Sequence, residues 1–170
     1  MLDIAYLAET AAHDDAIEDI NQEAFGPGRH TRAAYKIREG GPHERALSFV
    51  ALHDDQVIAT VRLTRVAVGK GRSLLLGPLA VKPAFKDMGI GRKLVRMAVE
   101  AAHEAAAGSV ILVGDEPYYG PLGFRKIPPG QVTMPRPVDP HRLLIHEIAP
   151  GALELLQGAM VHADLARQPA

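Results

Sequence analysis

Residues 81–102 read VKPAFKDMGIGRKLVRMAVEAA, and this run restricts the chain more than any other. A proline, two glycines and basic side chains stand directly ahead of a segment with helical spacing. The first turn of a helix leaves its N–H groups without intrahelical partners, and the helix dipole adds roughly half a positive charge there. Gly89 and Gly91 let an oxyanion approach that backbone with no β-carbon in the way, while Lys86, Arg92 and Lys93 add side-chain charge. The expectation is an anion seat shaped for a pyrophosphate, at the entrance of a helix from Gly89 to about Ala107. On that helix Leu94, Val95, Ala98, Ala101, Ala102 and Ala105 share one face, with Arg92, Arg96, His103 and Glu104 largely off it.

Two common phosphate motifs do not fit. A dinucleotide fingerprint needs a third glycine where GIGRKL has Leu94, and GKGRS at 69–73 does not supply a Walker loop. The preceding strand, SLLLGPLAV at 73–81, supplies a different clue. Pro78 has no N–H for a ladder and Gly77 favours a bulge, so the strand should bend away from one neighbour there. Such a bend leaves backbone N–H and C=O groups of Leu79 and Val81 facing an open side, where an extended, amide-bearing ligand can pair as a false strand.

The remaining pattern gives an opening strand at 3–8, a helix from Thr10 to the GPG at 26–28, and a short helix over Thr31–Arg38. Runs at 47–53, 56–68 and 73–81, separated by DD and GKGR turns, predict an antiparallel meander. SVILVG at 109–114 is apolar throughout, as for a strand buried on both faces and parallel to the 73–81 strand. A short helix over 117–124 closed by Gly123, a proline-rich loop at 128–140, a last strand at 142–148, a helix over 150–160 and a frayed ARQPA end complete the expectation. The whole, residues 1–170, is expected to form one domain.

Composition narrows the function. With 19 basic and 20 acidic residues there is no overall basic field for a nucleic acid, so a phosphate site must be local. No cysteine is present, which removes disulfides, thiolate metal sites and a cysteine nucleophile. The opening MLDIAYLAETAAHDD lacks the basic start and apolar core of a secretory signal, and there is no uninterrupted apolar run of membrane-spanning length. A cytoplasmic protein without membrane or nucleic-acid partners is expected. The eight histidines include no H-x-x-x-H or H-E-x-x-H pair, so no metal is expected.

LGPLAVKPAFKDMGIGRKLVRMAVEAA resembles the acetyl-coenzyme A motif of the GNAT N-acetyltransferase superfamily, [QR]-x-x-G-x-[GA] after a strand ending near V-x-P, and GDEPYYGPLGF resembles its later tyrosine motif. The likeness covers roughly 47–148 and is strongest to a bacterial subgroup of predicted N-acetyltransferases with undefined substrates. Lys86 departs from the pattern; a lysine serves a phosphate as a point charge, without arginine's fork. The resemblance implies an α+β fold with a mixed, mostly antiparallel sheet splayed at the cofactor site and flanked by helices. It implies that Leu79, Ala80 and Val81 line the pantetheine arm and acetyl group, and that Lys86, Asp87, Met88, Gly89, Ile90, Gly91 and Arg92 wrap the pyrophosphate.

The implied reaction moves an acetyl group from acetyl-CoA directly to a primary amine on a small molecule or protein, by a monomer or homodimer. It requires a neutral amine, a donor for the carbonyl oxyanion and a proton for the leaving thiolate. Tyr119 aligns with the family's acid, with Tyr118 as its rival; the freed N–H of Val81 is the candidate oxyanion donor. The 73–81 strand carries no acidic residue; Asp115 and Glu116, just after the parallel strand, are candidate bases by position, with Asp115 preferred and a water relay as the alternative. Arg29, His30 and Arg32, in the loop that borders the acceptor pocket by family analogy, are candidates to read an acidic group on the substrate. The competing readings are an acyl-CoA sensor without turnover and, more weakly, a nucleotide-binding regulatory domain.

Overall fold

The computed structural model describes residues 2–167. Its strands are β1 (Ala5–Ala8), β2 (Phe49–His53), β3 (Gln56–Gly69), β4 (Gly71–Val81), β5 (Ser109–Val113), β6 (Arg125–Lys126), β7 (Val132–Thr133), β8 (Leu143–Glu147) and β9 (Leu156–His162). The helices are α1 (Asp14–Phe25), α2 (Ala33–Arg38), α3 (Ile90–Glu104) and α4 (Glu116–Tyr119). The sheet runs β1-β2-β3-β4-β5-β8-β6; β4 and β5 are parallel and the other neighbours on this path antiparallel. This is the expected meander followed by a crossover through α3.

Alternation along the strands divides the core between two faces. Leu74, Leu76, Val110 and Leu112 pack with Leu94, Val95, Ala98 and Ala102 of α3, while Leu75, Ile111 and Ile145 turn to the other face with Ile37 of α2. Ile17 and Ile20 of α1 cover Val50, Val57 and Ala80 on β2, β3 and β4. The turns behave as read: Asp54 and Asp55 take left-handed φ of 50° and 62°, and Gly69 has φ 57°.

Several expectations are corrected. The α1 helix begins at Asp14, after a 3₁₀ turn over Ala11–His13, rather than at Thr10. The α3 helix stops at Glu104, because Ala106 leaves it with φ 57°, and Ala105 is therefore exposed. The proline-rich stretch contains a short strand, β7, parallel to β9.

The helix expected over 150–160 is a 3₁₀ turn at Ala152–Leu155 followed by β9. The reason lies in β3, whose first half pairs with β2 and whose far end, Val66–Gly69, pairs with β9. Without β9, buried Val66 and Val68 would sit beside an open edge, and covering it outweighs the helix propensity of ALELLQ. The frayed end is described only to Arg167; the rest lies outside the described residues.

Candidate active site

A bulge at the expected place shapes the centre of the sheet. The β3–β4 register passes from Leu63–Leu76 to Val61–Leu79, so Gly77 and Pro78 oppose the single residue Arg62. Gly77 has φ 147°, a conformation that disfavours any residue with a β-carbon. On the other edge, β4 and β5 pair only at Leu74–Val110 and Leu75–Ile111 and then diverge. Past the bulge, Lys82 N–H donates to Ile58 O at 2.8 Å, so alternation along the ladder bonds Ala80 to Thr60 and turns N–H and C=O of Leu79 and Val81 away from β3. Those groups face the splay.

The entrance to α3 lies beside this edge. Asp87 (φ 63°) and Gly89 (φ 80°) both take left-handed backbone, which turns successive N–H groups inward as a nest. The first helical bond here is Lys93 N–H to Gly89 O, at 3.0 Å, and among the described residues no protein acceptor takes the N–H groups of residues 87–92. A row of unpartnered donors at a helix N-terminus fits a diphosphate.

Leu79, Ala80, Val81, Lys86, Asp87, Gly89, Ile90, Gly91 and Arg92 line one cavity of about 640 Å³. Ile90 and Ala80 turn their side chains into the core, so each offers that cavity mainly backbone. Met88 is not in the lining and is 49% exposed. Lys93 also turns elsewhere, its ammonium 5.1 Å from the Tyr6 ring centroid. A second cavity, of about 630 Å³, opens between the diverging strands and is bounded by Leu76–Leu79, Val113–Asp115, Tyr119, Arg32 and the 136–142 loop. Leu79, Phe25 and Tyr118 line both, so the two spaces meet at the bend.

The adjacent tyrosines take different positions. The Tyr118 hydroxyl stands over Gly91, where an added β-carbon would lie 3.0 Å from it, and Arg92 sits 5.1 Å from its ring centroid. Burial raises the Tyr118 phenol above its ordinary value, with Arg92 opposing. Tyr119 lines only the second cavity; its ring lies so close to Gly114 that a β-carbon there would overlap it, and it meets Phe124 edge-on at 5.9 Å. Burial pushes its phenol up to about 12.

The raised Tyr119 value has a consequence for stability. The unfolded phenol ionises near pH 10 and the folded one near 12, so a contribution fully present below pH 10 is lost as pH rises to about 12. Thermal midpoints measured from pH 9 to 12 should fall more steeply for the native protein than for Tyr119→Phe.

Asp115 is at the second cavity, with its side chain 71% exposed and its Oδ1 accepting from Arg142 Nε at 3.0 Å. The three candidates for reading an acidic substrate group separate. Arg29 is taken by Glu18 at 2.6 Å and by Gly26 O, and His30 packs edge-on against Tyr35 outside the cavity lining. Arg32 alone lines the cavity. His103 and His146, far apart in sequence, meet at 3.1 Å, yet no group of three metal-ligating side chains occurs among the described residues.

The chain matches the family profile described as Acetyltransferase (GNAT) family over residues 14–124. The Escherichia coli K12 protein named Uncharacterized N-acetyltransferase YjhQ is 28% identical over 113 residues, 64% of this chain and only 62% of that relative. Uncharacterized N-acetyltransferase YhbS of the same strain is 26% identical over 152 residues, 87% of this chain and 89% of the relative. The solved structure of Escherichia coli YhbS in complex with CoA has a TM-score of 0.79 at 22% identity, covering 100% of this chain and 95% of its own. A GNAT family acetyltransferase from Brucella melitensis in complex with acetyl-CoA gives 0.69 at 24% identity, covering 95% and 97%. These likenesses establish the fold expected from the sequence, a mixed, mostly antiparallel sheet flanked by helices. No helix among the described residues is long and apolar enough to cross a membrane.

Proposed function

The chain belongs to the acetyltransferase (GNAT) family, and from that premise we propose that it moves an acetyl group from acetyl-coenzyme A directly to a primary amine. The observation that carries this reading is the meeting, at Leu79, of a donor-lined cavity and a second cavity that opens at Tyr119. The N–H groups of 87–92, with Lys86 and Arg92, hold the diphosphate. The outward N–H and C=O groups of Val81, with the C=O of Leu79, pair with the pantetheine amides as a neighbouring strand would, which brings the thioester to the junction and leaves the Leu79 N–H for its carbonyl.

From the other cavity the neutral amine attacks the thioester carbon, forming the C–N bond and then expelling sulfur. Because Leu79 borders both spaces whereas Val81 borders only the cofactor side, the Leu79 N–H is the better placed oxyanion donor. Tyr119, held protonated by burial, donates to the leaving sulfur; the nitrogen sheds its proton to water in the open cavity, and the phenolate takes a proton back from solvent. Asp115 is the carboxylate by that exit. Its engagement by Arg142 suits an auxiliary role, with water as the immediate acceptor.

Calorimetric titration with coenzyme A, followed by an acetyl-coenzyme A consumption assay over an amine panel, tests the proposal; absence of coenzyme A binding overturns it. Gly91→Ala should weaken coenzyme A by about tenfold or more, since the added methyl crowds both the phosphate approach and the Tyr118 hydroxyl. The ligand-free thermal midpoint should change little by comparison, alanine's better helix propensity being set against the shift that the methyl forces on the Tyr118 hydroxyl.

A further inference from the structure

We infer that the acceptor is a small primary amine carrying an anionic group, in the first instance a carboxylate, which Arg32 and Arg136 bind at the second cavity; the inference rests on the acetyl-transfer reading. The basic groups in that lining are Arg32, Arg136 and Arg142, and the acidic ones are Asp115 and Asp139. Both carboxylates are engaged: Asp115 by Arg142 at 3.0 Å, and Asp139 by the backbone N–H of His141 at 2.9 Å. Arg32 and Arg136 have no carboxylate within ion-pair distance among the described residues.

Of the neighbouring arginines, Arg29 is held by Glu18, and Arg38, also without a carboxylate at ion-pair distance among the described residues, donates to Gly77 O at 3.4 Å, lies over the Tyr35 ring and is absent from the cavity lining. Arg32 instead lies on Phe25, its guanidinium carbon 4.2 Å from the ring centroid, which leaves the planar edge of the fork available. Burial, and then the nearby Arg142, push its pKa below the ordinary value. Arg32 remains exposed, and a cation beside another cation is relieved by an anion, with a carboxylate able to take both N–H groups of the fork.

Leu76, Pro78, Val113 and Val138 add apolar lining to the same cavity. An amine approaches from water as an ammonium, and a mouth with three guanidiniums and two carboxylates opposes a bare cation. A zwitterion does not meet that opposition, whereas a diamine meets it twice. The cavity, at about 630 Å³, has the size of a small-molecule site.

The test compares matched sets: an amino acid, its carboxamide, its decarboxylated amine and its aminophosphonate. Acetyl-coenzyme A consumption is measured for the native protein, Arg32→Gln, Arg32→Lys and Arg136→Gln, and calorimetry measures each compound's binding to the protein–coenzyme A complex. The expected result is a preference of at least about tenfold for the acid over its amide and amine, collapsing in Arg32→Gln, partly restored in Arg32→Lys, and with unaltered coenzyme A affinity. Preference for the phosphonate would keep the anion site and move the acceptor class to phosphorylated amines. Equal or better use of the amide, which imitates a peptide N-terminus, or of the decarboxylated amine overturns the inference and leaves acetyl transfer standing. Carboxylate-dependent binding without turnover upholds the anion site and removes acetyl transfer, and no binding by any member of the set overturns the inference.

Discussion

Tyr119→Phe is expected to lower kcat by about 10²- to 10⁴-fold while leaving coenzyme A affinity nearly unchanged. The substitution removes one hydroxyl from a ring fixed by Phe124 and by the absence of a side chain at Gly114, so the cavity keeps its shape. The phenol lies outside the cofactor-side lining, which is why binding should survive. Tyr118→Phe should show the opposite split, because its hydroxyl stands over Gly91 at the helix entrance: coenzyme A weakens and kcat changes less. Gly114→Ala supplies a check by a different route, since its methyl occupies the Tyr119 ring position and must displace the phenol without altering its chemistry. Stopped turnover with intact cofactor binding in both Tyr119→Phe and Gly114→Ala supports Tyr119 as the acid. Full activity in Tyr119→Phe assigns the role elsewhere, with Tyr118 next in position.

What the sequence disclosed was local. The left-handed turn with unpartnered N–H groups at the α3 entrance, the bulge at Gly77–Pro78 and the DD turn depend on φ preferences and N–H supply within a few residues, and these are written into Gly, Pro and Asp at fixed offsets. The choice between Tyr118 and Tyr119 is a matter of one residue on a helix of a single turn, where periodicity has no resolving power. Features that depend on distant partners stayed hidden. The β9 strand exists because β3 has an edge to cover, and Gly69 matters because the Gln157 carbonyl passes where a β-carbon would stand. Nothing local separates Arg29 from Arg32; the difference is Glu18, eleven residues upstream on α1, which holds Arg29. His103 and His146 meet only because the crossover lays the end of α3 beside β8.

The least legible of these partnerships is also predicted to have a large effect on stability: Glu9→Ala should destabilise the fold by about 3–5 kcal/mol, read as a shift in the chemical-denaturation midpoint. Glu9 follows β1, and its side chain is 0% exposed. It accepts from Arg62 Nε at 2.9 Å, Arg45 Nη1 at 2.6 Å and His43 Nε2 at 3.1 Å, while Asp14, opening α1, accepts from both arginines. Arg62 is the residue opposite the bulge, with its side chain 11% exposed, so deleting Glu9 leaves a nearly buried guanidinium with only Asp14. Burial alone would raise the Glu9 carboxyl, but hydrogen bonds from His43 and Arg62, with their charges, outweigh it and hold the group below the usual carboxylate range. Its contribution is therefore present above the unfolded value, near pH 4.5, and lost as pH falls through the lower folded value. Between neutrality and about pH 3 the native protein should lose stability more steeply than Glu9→Gln, which cannot titrate. Since the network ties β1 and the start of α1 to the strand that faces the bend, the Glu9 variants should also bind coenzyme A less tightly at a temperature where they remain folded. A Glu9→Ala protein as stable as the native one would show that the cluster is merely tolerated, and that the bulge holds its shape through Gly77 and Pro78 alone.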